Sequence, residues 1–250
     1  MPAPLESALC VFGQAFADLR SIFYPCKFVQ DGFLYAVTDT VPRRTDPRGT
    51  EYFVANRDPH EVVAKLREKP RTHYSLSVLH GSDWDLEPVR DRYRGLGFRL
   101  LRREPFMQLD LTGVTFADTA SPARIARLTT LYEMERLNAK AGRRQLLPKH
   151  LGIDDSLLRV YIATDRSGDL LGWVRSSRIG EFAYVSNMYV REAYRRQGIG
   201  RALLNHMLSD DQRLGVKESV LLASMIGATV YPHLGYRQTG TLMIYSPPRS

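Results

Sequence analysis

The stretch that most constrains this chain runs Asn187-Met-Tyr-Val-Arg-Glu-Ala-Tyr-Arg-Arg-Gln-Gly-Ile-Gly-Arg-Ala-Leu-Leu204. An apolar strand ends at Val190, a polar loop follows, and Gly198 and Gly200 fall at the first turn of an amphipathic helix. Glycine at such a junction lets backbone N–H groups close on an anion with no Cβ in the way. The helix N-terminus adds unsatisfied donors and a partial positive charge. Arg195, Arg196 and Arg201 supply full charges, so the segment suits a pyrophosphate. The P-loop of nucleotide hydrolases requires Lys and then Ser or Thr after its last glycine, whereas Gly200 is followed by Arg201-Ala202. The dinucleotide fingerprint requires a third glycine, and position 203 is Leu. What remains is Arg-x-x-Gly-x-Gly over 195–200, set between a strand and a helix.

Periodicity places elements on both sides of this loop. In the first half, helices are expected over 5–20, 58–69 and 83–94, with Asp58-Pro59 as an N-cap and first turn. Strands are expected over 33–37, 52–55, 74–79, 98–101 and 106–111, and a turn-rich loop over 41–50. In the second half, Ser121-Pro122 is read as the cap of a helix running to 139. A hairpin of strands 159–163 and 171–175 turns at Asp165-Arg-Ser-Gly-Asp169. A strand over 182–190, a helix over 198–209, a strand over 219–223, a short helix over 225–233 and a strand over 242–245 follow. Strands and helices mixed this way make an α/β (α+β) protein with a mixed sheet. The segments Tyr93-Arg-Gly-Leu-Gly-Phe98 and Tyr231-Pro-His-Leu-Gly-Tyr236 echo one another in similar surroundings, which points to a duplicated topology with halves at 1–112 and 113–250.

The formal net charge of +8 leaves several anionic partners open, but the Arg and Lys residues are scattered, and no block of five like charges marks a nucleic-acid face. No apolar run approaches the length of a membrane span, and no basic segment precedes an apolar one at the start. Neither nucleic acid nor membrane is therefore an expected partner. Cys10 and Cys26 cannot build a disulfide framework, and a reducing, cytoplasmic setting is expected. The six histidines show no metal-ligand spacing, so no metal is expected.

Together, the strand Met188-Tyr189-Val190, the loop Arg195, Arg196, Gln197, Gly198, Ile199, Gly200 and the helix opening at Arg201 resemble the signature of the GNAT N-acetyltransferase superfamily. The resemblance covers about residues 113–250 and implies acetyl-CoA as co-substrate. It places the CoA pyrophosphate on the backbone around 196–201 and the pantetheine arm along 188–190 like an added strand. The Met188 N–H would face the thioester carbonyl, a one-donor oxyanion site. The family's second motif, Asn-x-x-Ala-x-x-Leu/Val-Tyr, is matched by Ser224, Gly227, Val230 and Tyr231, with Ser in place of Asn. Tyr231 would protonate the leaving thiolate, and Ser224 would bond pantetheine more weakly than Asn.

The base that accepts the amine proton is less defined. Strand alternation puts Tyr184, Ser186 and Met188 on one face, and Tyr184 stands where the family often has glutamate. Glu181 is a candidate acting through water, and Glu133 and Glu135 are candidates for binding a cationic acceptor. For each carboxylate a solvated helix or strand end competes with the functional role. The first half reads as a degenerate relative of the same domain, because Tyr52–Glu61 has the strand and helix without the glycines, and Asp58 would repel a phosphate. Three activities stay open: acetyl transfer to a small amine such as an amino acid, polyamine or aminated antibiotic, acetyl transfer to a protein amine, and CoA sensing without turnover. A monomer or homodimer is expected.

Overall fold

The structure, a computed structural model, describes residues 3–41, 49–70, 73–116, 121–152, 157–224 and 227–248. Most of the loop expected over 41–50 and positions 225 and 226 of the expected short helix lie outside these residues. In chain order the elements are α1 (Leu5–Arg20), β1 (Cys26–Asp31), β2 (Leu34–Asp39), β3 (Thr50–Ala55), α2 (Pro59–Arg67), β4 (Tyr74–Gly81), α3 (Leu86–Gly95) and β5 (Arg99–Asp110). There follow β6 (Arg124–Arg127), α4 (Leu131–Ala141), β7 (Leu158–Thr164), β8 (Leu170–Ile179), β9 (Phe182–Val190), α5 (Ile199–Arg213), β10 (Glu218–Leu222), α6 (Gly227–Val230) and β11 (Arg237–Ser246).

The chain packs as two compact units. One is Leu109–Leu221, and the other joins Pro2–Gln108 to Leu222–Ser250. The stretch that carries Ser224 and Tyr231 thus belongs with the first hundred residues, not with the loop at 195–200. In the discontinuous unit the strand order is β1-β2-β3-β4-β11-β5. β3 and β4 run parallel, and the other pairs are antiparallel. In the continuous unit the order is β10-β9-β8-β7-β6, with β9 and β10 parallel and the rest antiparallel. Each unit is a mixed, mostly antiparallel sheet flanked by helices. Each also contains an antiparallel meander whose last strand passes through a helix to a parallel neighbour, β1-β2-β3-α2-β4 in one and β7-β8-β9-α5-β10 in the other.

The discontinuous unit has a core of Leu34, Tyr52, Val54, Leu76, Val78, Tyr93, Phe98 and Tyr245. Tyr93 stands 4.6 Å from Tyr245 and 5.7 Å from Phe98, ring to ring. Each such ring contributes about 1.5–3 kcal/mol by leaving water. Arg20, at the end of α1, ties the helix to β2 and β3 through Asp39 at 2.8 Å and Glu51 at 2.6 Å.

Three local expectations change. Residues 124–127 form strand β6 against β7, and the helix starts later, at Leu131. Its cap is Thr130, not Ser121: the Thr130 hydroxyl accepts from the Glu133 N–H at 3.2 Å, and the Glu133 carboxylate reaches back to the Thr130 N–H at 3.2 Å. This reciprocal capping box satisfies two helix-end donors at once. The two strands expected over 98–111 are one strand, β5, running through Pro105. Strand β1 is absent from the sequence expectation because its residues are mostly exposed and carry little alternation.

Candidate active site

Strand β9 is the backbone of the site. It pairs with β10 only from Phe182 to Val185, so β10 stops pairing at Leu221 while β9 runs on to Val190. On its other side β9 pairs with β8, but the register skips. Arg175 faces Ser186 and Trp173 faces Tyr189, so β9 carries one residue more than β8 between these pairs. Asn187 lies within this bulge with φ of 49°. Asn tolerates the left-handed region because its short side chain bonds locally; here Asn187 Nδ2 donates to Gln145 Oε1 at 2.5 Å, and Arg143 donates to Asn187 Oδ1 at 2.8 Å.

The bulge breaks the alternation that the sequence implies. Tyr184 and Ser186 share a face with Tyr189 and with Trp173, Arg175 and Ser177 of β8. Met188 goes to the opposite face, against the first turn of α5, where a Cβ on Gly200 would fall 2.7 Å from Met188 Cε. One inserted residue is enough to swap the faces, because the side-chain period is two.

Beyond β9, the Arg195 side chain folds back, its Nε donating to the Val190 carbonyl at 3.0 Å. Arg196 has φ of 61° and Gly198 has φ of 77°, so the chain enters α5 through left-handed turns. Such turns gather successive N–H groups on one side, a concavity that binds anions. Gly198 is the N-cap of α5, no side chain caps the helix, and no acid stands in its first turn. The end of α5 therefore presents its first N–H groups to whatever lies in front of it. Arg195, Arg196, Gln197, Gly198 and Arg201 are exposed, and Ile199 anchors the turn in the core at 1% exposure. The equivalent end of α2 differs in kind. Asp58 caps it through a 2.8 Å bond from the His60 N–H and also binds Arg92 at 2.6 Å. A carboxylate fills the place that an anion would need.

Beside β9, on the face of Trp173 and Tyr189, lies a cavity of about 410 Å³. The end of α4 and the loop after it supply Lys140, Arg143 and Gln145; β8 supplies Trp173, β9 supplies Asn187, Met188 and Tyr189, and Arg191 lies just beyond. Trp173 is buried, with its ring 4.6 Å from that of Tyr189. Sequence reasoning missed Lys140, Arg143, Gln145, Trp173, Asn187 and Arg191 as site residues. Only Asn187 carried a signal, as a residue that tolerates a left-handed bulge directly before the Met-Tyr-Val edge.

The other expected site residues are dispersed. Glu133 is committed to the capping box, its carboxylate also accepting from the Thr130 hydroxyl at 2.9 Å. Glu135 is exposed on α4, and neither residue lines the cavity. Glu181 pairs with Lys217 at 2.6 Å, both largely exposed, at the start of β9. Seven residues of strand separate it from Met188, about 20 Å at the usual rise. Tyr184 is buried on the sheet face that carries Arg175. In the discontinuous unit, the Ser224 hydroxyl accepts from the Gly227 N–H at 3.1 Å and so caps α6. Tyr231 follows α6 directly, its ring 5.5 Å from Tyr236, and burial pushes its phenol up. Among the described residues no group of three His, Cys, Asp or Glu could hold a metal ion.

Residues 156–238 match the family model described as "Acetyltransferase (GNAT) domain". Solved structures share the fold over most of the chain. A GCN5-related N-acetyltransferase from Kribbella flavida is similar with a TM-score of 0.65 at 15% identity, covering 97% of this chain and 96% of that one. One from Sphaerobacter thermophilus gives a TM-score of 0.54 at 17% identity, over 87% and 78% of the two chains. A GCN5-related N-acetyltransferase-like protein from Streptococcus suis gives 0.51 at 13% identity, over 88% of each. No curated protein matches the sequence.

Proposed function

We propose that this chain, whose residues 156–238 match the acetyltransferase (GNAT) domain model, is an N-acetyltransferase that moves acetyl from acetyl-CoA to the primary amine of a small molecule. The observation that carries this reading is the uncapped, acid-free start of α5 behind the left-handed turns at Arg196 and Gly198. The pyrophosphate would sit on the N–H groups of 196–201, with Arg195, Arg196 and Arg201 around it. The pantetheine arm would run along Met188, Tyr189 and Val190, where β9 outlasts its pairing with β10. That stretch of backbone offers the arm main-chain bonds in the manner of an added strand.

The chemistry then needs no covalent acyl-enzyme. The neutral amine attacks the thioester carbon, and the carbonyl π electrons move onto oxygen. The oxyanion is held by an N–H at Met188. Collapse re-forms the carbonyl and breaks the C–S bond, and the thiolate takes a proton. Tyr231 is the proposed donor. Its ordinary pKa is about 10 and burial raises it further, so the phenol is fully protonated at neutral pH. It delivers the proton only in the transition state, where the thiolate forms within hydrogen-bond reach. In this reading the amine proton is lost to solvent: among the described residues no carboxylate lines the cavity, and Glu181 is held by Lys217 at the far end of the strand. The first half, whose matching helix is capped by Asp58, binds no CoA in this reading.

The test is a panel of amines incubated with acetyl-CoA and the purified protein, with thiol release and product mass followed together. Acetylated product and one acetyl-CoA bound per chain by equilibrium dialysis are expected. Absence of any transfer above buffer hydrolysis would refute the enzyme, and two tight sites would refute the silent first half.

A further inference from the structure

The cavity beside β9 has a charge pattern that the transfer reaction does not require. Lys140, Arg143 and Arg191 stand in its wall, and among the described residues no acid lines it. Among the described residues none of the three forms an ion pair with a carboxylate. Behind the wall is Arg175 of β8, 7% exposed, with its Nε buried and unpartnered. Burial, and then the nearby Arg143 charge, push its guanidinium down to about 10, with Tyr184 pulling the other way. Two lining residues also keep unused donors: Gln145, fully buried, at Nε2, and Trp173, 5% exposed, at Nε1. The Gln145 amide is oriented by its other end, since Oε1 accepts from Asn187 and the Asn187 Oδ1 in turn accepts from Arg143.

Cations gathered around a cleft with buried donors repel one another until an anion enters. An ammonium-rich acceptor would add to that repulsion. A carboxylate would relieve it and satisfy donors that otherwise stay buried without a bond. We propose that the acceptor is an amine bearing a carboxylate, of the amino-acid kind, whose carboxylate is held in this cavity by Lys140, Arg143 and the Gln145 amide, with its amine presented to β9 beside Met188. The assignment rests on the transferase reading, and it excludes polyamines and other purely cationic amines as the preferred acceptors.

The probes are the free amino acids, each compared with its own carboxamide, in the presence of saturating CoA. CoA fills the loop at 195–200 and removes it as an alternative anion site. Binding is read by Trp fluorescence and calorimetry, and turnover by kcat/KM with acetyl-CoA. For at least one amino acid we expect binding tenfold or more tighter than for its carboxamide, and the same preference in kcat/KM. Lys140→Gln, a change at an exposed position, should cut that preference at least threefold, and Lys140→Gln with Arg143→Gln should abolish it. Equal binding of acid and amide, no binding of any probe, binding lost when CoA is present, or a preference untouched in the double variant would each overturn the proposal. If carboxylate binding follows the prediction and no amine is acetylated, the transferase reading fails while the anion site stands. If carboxamides are acetylated as well as the acids, the site fails while the transferase stands.

Discussion

Tyr231 follows the short helix α6 and packs edge-on against Tyr236. Only its hydroxyl is needed for the proposed proton delivery, so Tyr231→Phe keeps the packing and removes the acid. We expect kcat to fall about 10²–10⁴-fold, with the KM for acetyl-CoA changed less than about threefold. Steady-state kinetics with an acceptor from the panel decides it, and an unchanged kcat takes Tyr231 out of the mechanism. Single residues also show where the sequence stops being legible. Thr130-Leu-Tyr-Glu133 is an S/T-x-x-E capping signature and marks the start of α4 once it is seen, so Glu133 was readable as a cap. Met188 was not readable in the same way. Alternation assigns it to the face of Tyr184 and Ser186, and nothing but the paired strand reveals that Asn187 is inserted. The cations at 140, 143 and 191 come from separate elements, and their convergence is a property of the fold.

At the scale of elements, α5 is held to its sheet by a buried charge cluster. Asp211 on α5 accepts from Arg159 of β7, and from the Ser176 hydroxyl of β8 at 2.8 and 3.0 Å, and all three residues are essentially inaccessible. Removing one charge strands the other in the core. Arg159→Met should therefore destabilise the protein by about 3–5 kcal/mol, whereas Arg159→Met with Asp211→Leu should recover most of the loss, because an apolar pair of similar size costs no ion desolvation. Urea denaturation of the two variants separates these outcomes, and additive losses would disprove the coupling. Because the left-handed turns at Arg196 and Gly198 open α5, the single variant should also weaken the proposed acetyl-CoA binding if the helix shifts. Elements with strong local signals, such as β9 and α5, were readable to within a few residues. β6 was misread because its four residues gain strand form only from pairing with β7. β5 was split in two because Arg102, Arg103 and Pro105 interrupt its apolar pattern, although the strand is continuous against β11.

At the scale of the whole molecule, each unit contains an antiparallel meander with a helical crossover to a parallel strand, and of the two crossover helices α2 is capped by Asp58 while α5 has no side-chain cap. The discontinuous unit also stores a pH dependence. His80 of β4 is fully buried beside Trp84, with both ring nitrogens unpartnered, and burial followed by the Arg92 charge lowers its pKa to about 4. An unfolded chain protonates this ring below about 6.5, and the folded chain resists until about 4. Stability from His80 is therefore complete above pH 6.5 and falls as the pH drops through that window, by about 2–3 kcal/mol at pH 4.5. His80→Leu should lose less stability than the parent between pH 7 and pH 4.5, as read from denaturation midpoints. Parallel losses in the two proteins would contradict it. The order of chain synthesis gives the discontinuous unit a further property. β11, which pairs with both β4 and β5, emerges only after the whole of Leu109–Leu221 has been made. At a usual elongation rate that is a wait of about 5–20 seconds. During it, the β4 and β5 edges that β11 later covers stand open to other chains. The continuous unit, whose strands are all at hand, is free to form first, so a slowly translated or truncated message would leave a formed unit attached to a half-built, adhesive neighbour.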